Sequence, residues 1–130
     1  MGDSVLSNSY KILGMNILFV CKANMERSPT AEMVFKDVPG WIVKSAGTSP
    51  DSVVPITRAL IDWADRVVVM ETQHMEKIIE LSRMAFRKTL VLGIDDIYYR
   101  CSPTLIGLLI MKMGALFPLD DWIKAKFNCQ

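Results

Sequence analysis

Cys21 and Arg27, separated by five residues, form the pair in this sequence whose types and spacing could support phosphoryl chemistry. A cysteine thiolate is a strong nucleophile, and a guanidinium can hold two oxygens of a phosphate at once. Ser28-Pro29 follows, which is typical of the first turn of a helix. Loop N–H groups that lead into a helix converge with its dipole on one point and attract anions. The sequence therefore predicts a phosphate-binding loop over residues 21–27.

Three residues of this stretch have two interpretations each. Cys21 could be a small buried hydrophobe, although its place between an apolar strand and a helix favours a reactive thiol. Asn24 is either a turn residue that tolerates left-handed backbone or a side chain that braces the loop. Ser28 is predicted to be the helix N-cap, and its hydroxyl could also reach the sulfur of Cys21.

A second group of candidates lies in the loop around residues 95–99. Asp95 and Asp96 are either solvated loop residues or a source of the proton that a departing oxygen needs. Tyr98 and Tyr99 either belong partly to the core or form the wall of a pocket for an aromatic substrate ring.

The elements that position these residues alternate along the chain. Apolar runs predict strands over residues 17–20, 41–43, 67–70 and 90–94. Helical spacing predicts helices after Ser28, over residues 55–64, after Thr72 (buried face Met75, Ile78, Ile79 and Phe86) and after Ser102-Pro103. This alternation indicates an α/β fold with a parallel sheet and helices on both faces. The loops at Cys21, Ser45 and Asp96 all follow strands, so we expect them at the same edge of the sheet.

Composition limits the classes of partner. The 130 residues carry a net charge of only +1 with no charged block, which argues against nucleic acid and anionic membranes. Three cysteines without metal-type pairing favour a reducing, cytoplasmic location. We expect residues 1–14 to be a disordered extension and residues 15–130 to be a single domain. His74, without a neighbouring ligand, is predicted to be at the surface, and no metal site is visible.

Three motifs in order resemble the low-molecular-weight protein tyrosine phosphatase family, in particular its short bacterial branch. They are Val20-Cys21-x-x-Asn24-x-x-Arg27-Ser28-Pro29, Ser45-Ala46-Gly47-Thr48 and Asp96-x-Tyr98-Tyr99, and the segment Trp63-Ala64-Asp65…Val69-Met70-Glu71 fits the same pattern. The resemblance covers residues 15–117. It implies a flavodoxin-like three-layer sandwich with four parallel strands and a two-step hydrolysis without metal or cofactor.

The resemblance also implies a role for each matching residue. Cys21 would take the phosphoryl group, and Asp96 would protonate the leaving phenolate and then activate water. Arg27 and the N–H groups of the loop would hold the phosphate oxygens. The residues implied to bind phosphate or substrate, or to shape the site, are Lys22, Ala23, Asn24, Met25, Glu26, Ser28, Ser45, Tyr98 and Tyr99. The substrate would be a phosphotyrosine protein or a small phosphomonoester.

Four departures leave alternatives open. Ala23 replaces a glycine, Glu26 adds a carboxylate that we expect to point outward and pair with a surface base, and Ile97 replaces a proline and leaves Asp95 as a rival acid. The segment between Thr48 and Trp63 is also shorter than usual. The main alternative is a phosphate- or oxyanion-binding module with little turnover. Arsenate reductase is a further one, but it needs resolving cysteines, and only Cys101 is even remotely placed for that role.

Overall fold

The computed structural model describes residues 14–117, so the predictions for residues 1–13 and for Cys129 lie outside the described residues. Four strands form one parallel sheet in the order β2-β1-β3-β4. They are β1 (Met15–Cys21), β2 (Trp41–Gly47), β3 (Arg66–Val69) and β4 (Thr89–Val91). The helices are α1 (Arg27–Phe35), α2 (Arg58–Trp63), α3 (Thr72–Leu81), a 3-10 helix (Arg83–Lys88) and α4 (Pro103–Leu116). The predicted α/β fold with a four-stranded parallel sheet and helices on both faces is confirmed.

Strand β1 divides the core because its side chains alternate between the two faces of the sheet. Ile17, Phe19 and Cys21 pack with α1 and α4, whereas Leu18 and Val20 pack with α2, α3 and the 3-10 helix. A strand buried on both faces reads as a continuous apolar run, which is the pattern seen in the sequence.

The connection from β2 to β3 crosses over β1, so the chain order reverses between β1 and β3. Ligands of open parallel sheets bind in the crevice beyond the strand ends at such a reversal. Cys21 ends β1, and Met70-Glu71 directly follow β3. The fold therefore places the predicted phosphate loop at the expected crevice.

Several predicted element boundaries are wrong. Residues 45–47 are the end of β2 rather than a loop, because they continue its parallel pairing with β1. The capping residue of α1 is Glu26, so Ser28 lies inside the helix and does not cap it. Helix α2 starts at Arg58, where the Thr57 hydroxyl accepts the Leu60 N–H, and Pro55 lies before it. Strand β4 ends at Val91, before the predicted end.

Helix α3 is also shorter than predicted. It ends at Leu81, so Phe86 falls in the 3-10 helix and is 51% exposed, and Ile79 is 37% exposed. Of the predicted buried face, Ile78 alone is fully buried. His74 is 3% exposed, so its predicted surface position is wrong. Within residues 14–117, no helix is both long and apolar enough to cross a membrane.

Candidate active site

The phosphate loop, residues 21–27, is oriented by a neighbouring segment of backbone. We call residues 48–53 the strap. The carbonyl groups of residues 21–23 accept strap N–H groups at 2.9 to 3.3 Å, with Thr48 on Cys21, Ser49 on Lys22 and Val53 on Ala23. The Ser52 hydroxyl also lies 3.0 Å from the Lys22 carbonyl. Across a trans peptide the C=O and the next N–H point in opposite directions. The N–H groups of residues 22–24 therefore point away from the strap.

The sulfur of Cys21 accepts a hydrogen bond from one of these N–H groups. The Asn24 N–H donates to Cys21 Sγ at 3.2 Å, and Ser28 Oγ lies 3.0 Å from the same sulfur. Cys21 is buried at the sheet edge with 3% of its surface exposed. The local geometry thus suits a nucleophile, and Ser28 reaches the sulfur although it is not the helix cap.

Asn24 combines both features that the sequence suggested for it. Its φ is 55°, in the left-handed region that asparagine tolerates better than most residues. Its side-chain amide donates to Ser28 Oγ and to Ser45 Oγ, each at 2.9 Å. Ser45 in turn donates to the Glu32 carboxylate at 2.6 Å. One polar network therefore links the loop, helix α1 and the end of β2.

Arg27 is fixed by acceptors on two other segments. Its Nη1 donates to Glu71 Oε1 at 2.6 Å and to the Ile94 carbonyl at 2.8 Å. Both hydrogen bonds of the guanidinium to the described chain use this one nitrogen, and Nε lies 3.6 Å from Asp96 Oδ1. Arg27 is 2% exposed, so its charge is almost fully removed from bulk water. The pairing with Glu71 fixes the orientation of the guanidinium.

Glu71 and His74 support each other at the start of α3. The hydrogen bond from Arg27 holds the pKa of Glu71 below its usual value of 4.5. The backbone N–H of Glu71 donates to His74 Nδ1 at 3.0 Å, which requires an unprotonated imidazole nitrogen. Burial and the nearby Arg27 charge lower the pKa of His74 from 6.5 to about 4. His74 is therefore a neutral residue that braces the partner of Arg27.

The two candidate acids, Asp95 and Asp96, differ in their surroundings. Asp96 is half exposed and lies beside Arg27 Nε, whereas Asp95 is exposed and makes no ion pair with residues 14–117. Tyr98 packs partly against the core, and Tyr99 is 68% exposed. Asp96 is therefore the carboxylate that the fold brings to the phosphate loop.

The remaining residues of the phosphate loop are Lys22, Ala23, Met25 and Glu26, and the structure gives their backbone conformation and exposure. Ala23 does not adopt a positive φ, so its side chain causes no backbone strain where the family has glycine. Glu26 is partly exposed and forms no ion pair with the described residues, so the predicted surface partner is absent there. Lys22 and Met25 are exposed at the outer side of the loop.

Sequence reasoning missed the supporting roles of Glu71, Glu32 and Ser52. Glu71 directly follows a buried strand, the signal that identified Cys21 and the acid loop, so its position could have been inferred. Glu32 lies one helical turn after Ser28, on the same face of α1. Ser52 gave no signal, because its contact depends on how the shortened segment after β2 folds back.

Solved structures of several phosphatases are similar to this chain. The tyrosine phosphatase Wzb from Escherichia coli K30, in complex with phosphate, matches 82% of this chain and 93% of its own, at 24% identity and TM-score 0.66. Wzb of Vibrio vulnificus, in complex with benzylphosphonate, matches 85% of this chain and 98% of its own, at 26% identity and TM-score 0.65. The chain therefore shares its fold with low-molecular-weight tyrosine phosphatases.

Another low-molecular-weight phosphatase extends this comparison. The YwlE arginine phosphatase from Geobacillus stearothermophilus covers 88% of this chain and 91% of its own, at 27% identity and TM-score 0.55. No profile of a known protein family matches the sequence, and no curated protein matches it. The family resemblance read from the three motifs is thus confirmed by structures.

Proposed function

We propose that this protein is a phosphatase that hydrolyses phosphotyrosine or small aryl phosphates through a cysteinyl-phosphate intermediate. The observation that carries the proposal is the convergence of Cys21, Arg27 and Asp96 at one end of the sheet. The sulfur accepts an N–H bond of the loop, and the acid lies 3.6 Å from the buried guanidinium. A site that only bound phosphate would have no need for the thiol or the acid.

In the first step, the Cys21 thiolate attacks phosphorus and the bond between phosphorus and the phenolic oxygen breaks. Asp96 gives its proton to the departing oxygen, which leaves as a phenol. Nε and Nη2 of Arg27, which make no hydrogen bond with the described residues, are the donors for two phosphate oxygens, and the N–H groups of the loop bind the others. Glu71 and the Ile94 carbonyl keep the guanidinium in place for this contact.

In the second step, water attacks the phosphorus of the cysteinyl phosphate. Asp96, now a carboxylate, takes a proton from this water, and the bond between sulfur and phosphorus breaks. Inorganic phosphate leaves, and the thiolate and the protonated acid are restored. No metal or redox partner is needed to balance either step.

The rim of the site favours an aryl substrate. Met25, Ile97 and Tyr99 are 57%, 73% and 68% exposed on the two loops that carry Cys21 and Asp96. Such apolar side chains gain from covering an aromatic ring. The related Wzb of Vibrio vulnificus was solved with benzylphosphonate, whose phenyl ring and phosphonate have the outline of a phosphotyrosine side chain.

The test is hydrolysis of p-nitrophenyl phosphate and of a phosphotyrosine peptide across mildly acidic pH. Cys21→Ser should abolish turnover, and Asp96→Asn should lower kcat by roughly 100-fold, the usual scale of general acid catalysis. Asp95→Asn is the matched control and should change kcat by less than about twofold. A wild-type protein that binds phosphate without turnover would instead favour the binding module.

The same assay separates substrate classes. A phosphoarginine peptide should be hydrolysed more slowly than the phosphotyrosine peptide, because its guanidinium gains less from an apolar rim. Faster hydrolysis of phosphoarginine would assign the substrate of YwlE to this chain. Arsenate reduction with thiol consumption would support the reductase alternative.

A further inference from the structure

The acid loop, residues 95–101, is attached to the rest of the molecule at its two ends. At its start, Ile94 donates its N–H to the Met70 carbonyl and accepts from Arg27. At its end, the Cys101 N–H donates to the Thr30 hydroxyl at 2.9 Å. Between these points the side chains of Asp96, Ile97 and Tyr99 are largely exposed. Together with the partly buried Tyr98 and the Arg27 contact of Asp96, these two attachments set the position of Asp96.

The Thr30 hydroxyl also holds the end of the phosphate loop. It donates to the Glu26 carbonyl at 2.6 Å, so its proton is used there and its lone pair receives the Cys101 N–H. Thr30 is fully buried in α1, and both of its hydrogen bonds are partly buried. One hydroxyl thus joins the loop that carries the nucleophile to the loop that carries the acid.

Two further facts indicate that this attachment holds the loop in a defined shape. Cys101 has a φ of 63°, a backbone conformation that residues other than glycine rarely adopt without external support. Ile97 occupies the position where a proline would have stiffened the loop by itself. The hydrogen bond to Thr30 supplies a restraint from outside the loop.

We propose that Thr30 is a positioning residue that sets the place of Asp96 relative to Cys21, and this inference rests on the proposed phosphatase activity. Removal of the hydroxyl deletes the hydrogen bond that ties the Cys101 backbone to α1 and loosens this end of the acid loop, which then depends on the start of α4 alone. The Arg27 contact with Ile94 and the backbone bond from Thr30 N–H to Glu26 remain. Proton donation to the leaving group should therefore suffer, while phosphate binding is retained.

The dependence on the leaving group is the readout that separates positioning from general structural damage. A p-nitrophenolate leaves readily without a proton, whereas a phenolate needs one. The constant kcat/KM reports the steps up to cleavage of the phosphate ester, so it isolates the step in which Asp96 acts as an acid.

The experiment compares Thr30→Val, which keeps the shape, with Thr30→Ser, which keeps the hydroxyl. We expect Thr30→Val to lower kcat/KM for phenyl phosphate about tenfold, part of the full effect of a general acid, and for p-nitrophenyl phosphate less than about threefold. Thr30→Ser should stay close to wild type with both esters. The inhibition constant for inorganic phosphate should be unchanged in both variants. Thr30→Ala serves as a second hydroxyl deletion if the valine variant does not fold.

A double-mutant cycle decides whether Thr30 acts through Asp96. In an Asp96→Asn background, Thr30→Val should cause no further loss, because the acid has already been removed. Equal losses with both esters, or an undiminished loss in the Asp96→Asn background, would overturn the proposal while the phosphatase activity stands. A wild-type protein that hydrolyses neither ester would overturn the proposed function itself, and the catalytic role of Thr30 with it.

Discussion

Arg27 depends on Glu71 for its orientation, and this contact is the most consequential single pairing of the site. The 2.6 Å hydrogen bond is charge-assisted and joins an arginine that is almost fully buried to a carboxylate that is 24% exposed. Removal of one partner from such a pair leaves the other charge without compensation. The geometry of phosphate binding should therefore be sensitive to a residue that never touches the phosphate.

Glu71→Gln tests this dependence. We expect kcat/KM for p-nitrophenyl phosphate to fall by roughly tenfold or more, since charge-assisted hydrogen bonds contribute about twice as much as neutral ones. The inhibition constant for phosphate should rise in parallel, because Arg27 serves the ground state and the transition state alike. Glu76→Gln, on the exposed side of the same helix, is the control and should leave both constants unchanged. Wild-type kinetics in Glu71→Gln would contradict the assigned role.

His74 predicts how stability changes with pH. Its pKa is lowered to about 4 in the folded protein and is about 6.5 when unfolded, so the unfolded chain binds the proton more readily. The folded protein with a neutral His74 is therefore at its full stability above pH 6.5. This contribution to the free energy of unfolding is lost as the pH falls from 6.5 to 4. Arg27, Glu71 and Asp96 are the charged groups that act on this imidazole. The free energy of unfolding of wild type, measured with denaturant, should fall over this pH range by more than that of His74→Gln. Glutamine keeps a hydrogen-bond acceptor but does not titrate. Parallel curves for the two proteins would contradict the assignment.

The sequence could predict the candidate catalytic side chains but not the residues that hold them. Residue type, spacing and position after a strand predict Cys21 and Arg27, whereas the resemblance to the phosphatase family favours Asp96 over Asp95. His74 was predicted to be exposed, because nothing in its neighbourhood along the chain shows that it is buried beside Glu71 and close to the Arg27 charge. Glu71 lay within a recognised segment, but its partner is 44 residues away in the sequence. Supporting contacts of this kind arise only when distant elements meet.

The strap and the phosphate loop act together as one element of the site. Gly47 lies where they meet, and an added Cβ would come within 2.1 Å of Ser52 Oγ and 2.7 Å of the Lys22 carbonyl. A contact with backbone at that distance forces the loop or the strap to move. The backbone bonds that turn the N–H groups of residues 22–24 away from the strap would then be disturbed.

Gly47→Ala should therefore weaken phosphate binding by about tenfold, equivalent to about 1.4 kcal/mol. Gly107→Ala is the matched control, because a Cβ at this position in α4 meets no atom within 4 Å. That variant should bind phosphate normally and gain about 0.5 to 1 kcal/mol of stability, since alanine is the better helix former. Phosphate inhibition and urea unfolding of both variants provide the measurements. Normal phosphate binding by Gly47→Ala would show that the strap does not orient the loop.

Element boundaries were the least predictable part of the fold. Ser28-Pro29 and Ser102-Pro103 look alike in the sequence, yet Ser102 caps α4 and Ser28 does not cap α1. The difference arises because the Ser28 hydroxyl is taken by Cys21 and Asn24. The hydroxyl of Ser28 is therefore occupied within the loop and does not cap the helix.

At the scale of the molecule, the sheet and the two core clusters on its faces fix the positions of the phosphate loop and the acid loop relative to each other. Ile17 and Phe19 of β1 share one buried cluster with Leu105, Leu109 and other residues of α4. Helix α4 begins directly after the acid loop, so its packing also fixes the end of that loop. Fold class was predictable from the alternation of apolar runs, because burial on both faces of a parallel sheet leaves few alternatives.

Leu109→Ala tests the contribution of this layer. Leu109 is fully buried, so its truncation should cost about 2 to 5 kcal/mol of the free energy of unfolding through lost contacts and a residual cavity. Met111, two residues further along the helix, is 61% exposed, and Met111→Ala should cost less than about 0.5 kcal/mol. Urea unfolding measures both values. A similar cost for the two variants would contradict the assigned burial of α4.

The most direct test of the central claim is to trap the covalent intermediate. Wild type and Asp96→Asn are mixed with an excess of p-nitrophenyl phosphate, quenched rapidly by denaturation at neutral pH, and analysed by peptide mass spectrometry. The mechanism predicts one added phosphoryl group on Cys21, more abundant in Asp96→Asn because the water step loses its base. Turnover by wild type with no phosphoryl group on Cys21 in either protein, or with the group on another residue, would contradict nucleophilic catalysis by this cysteine.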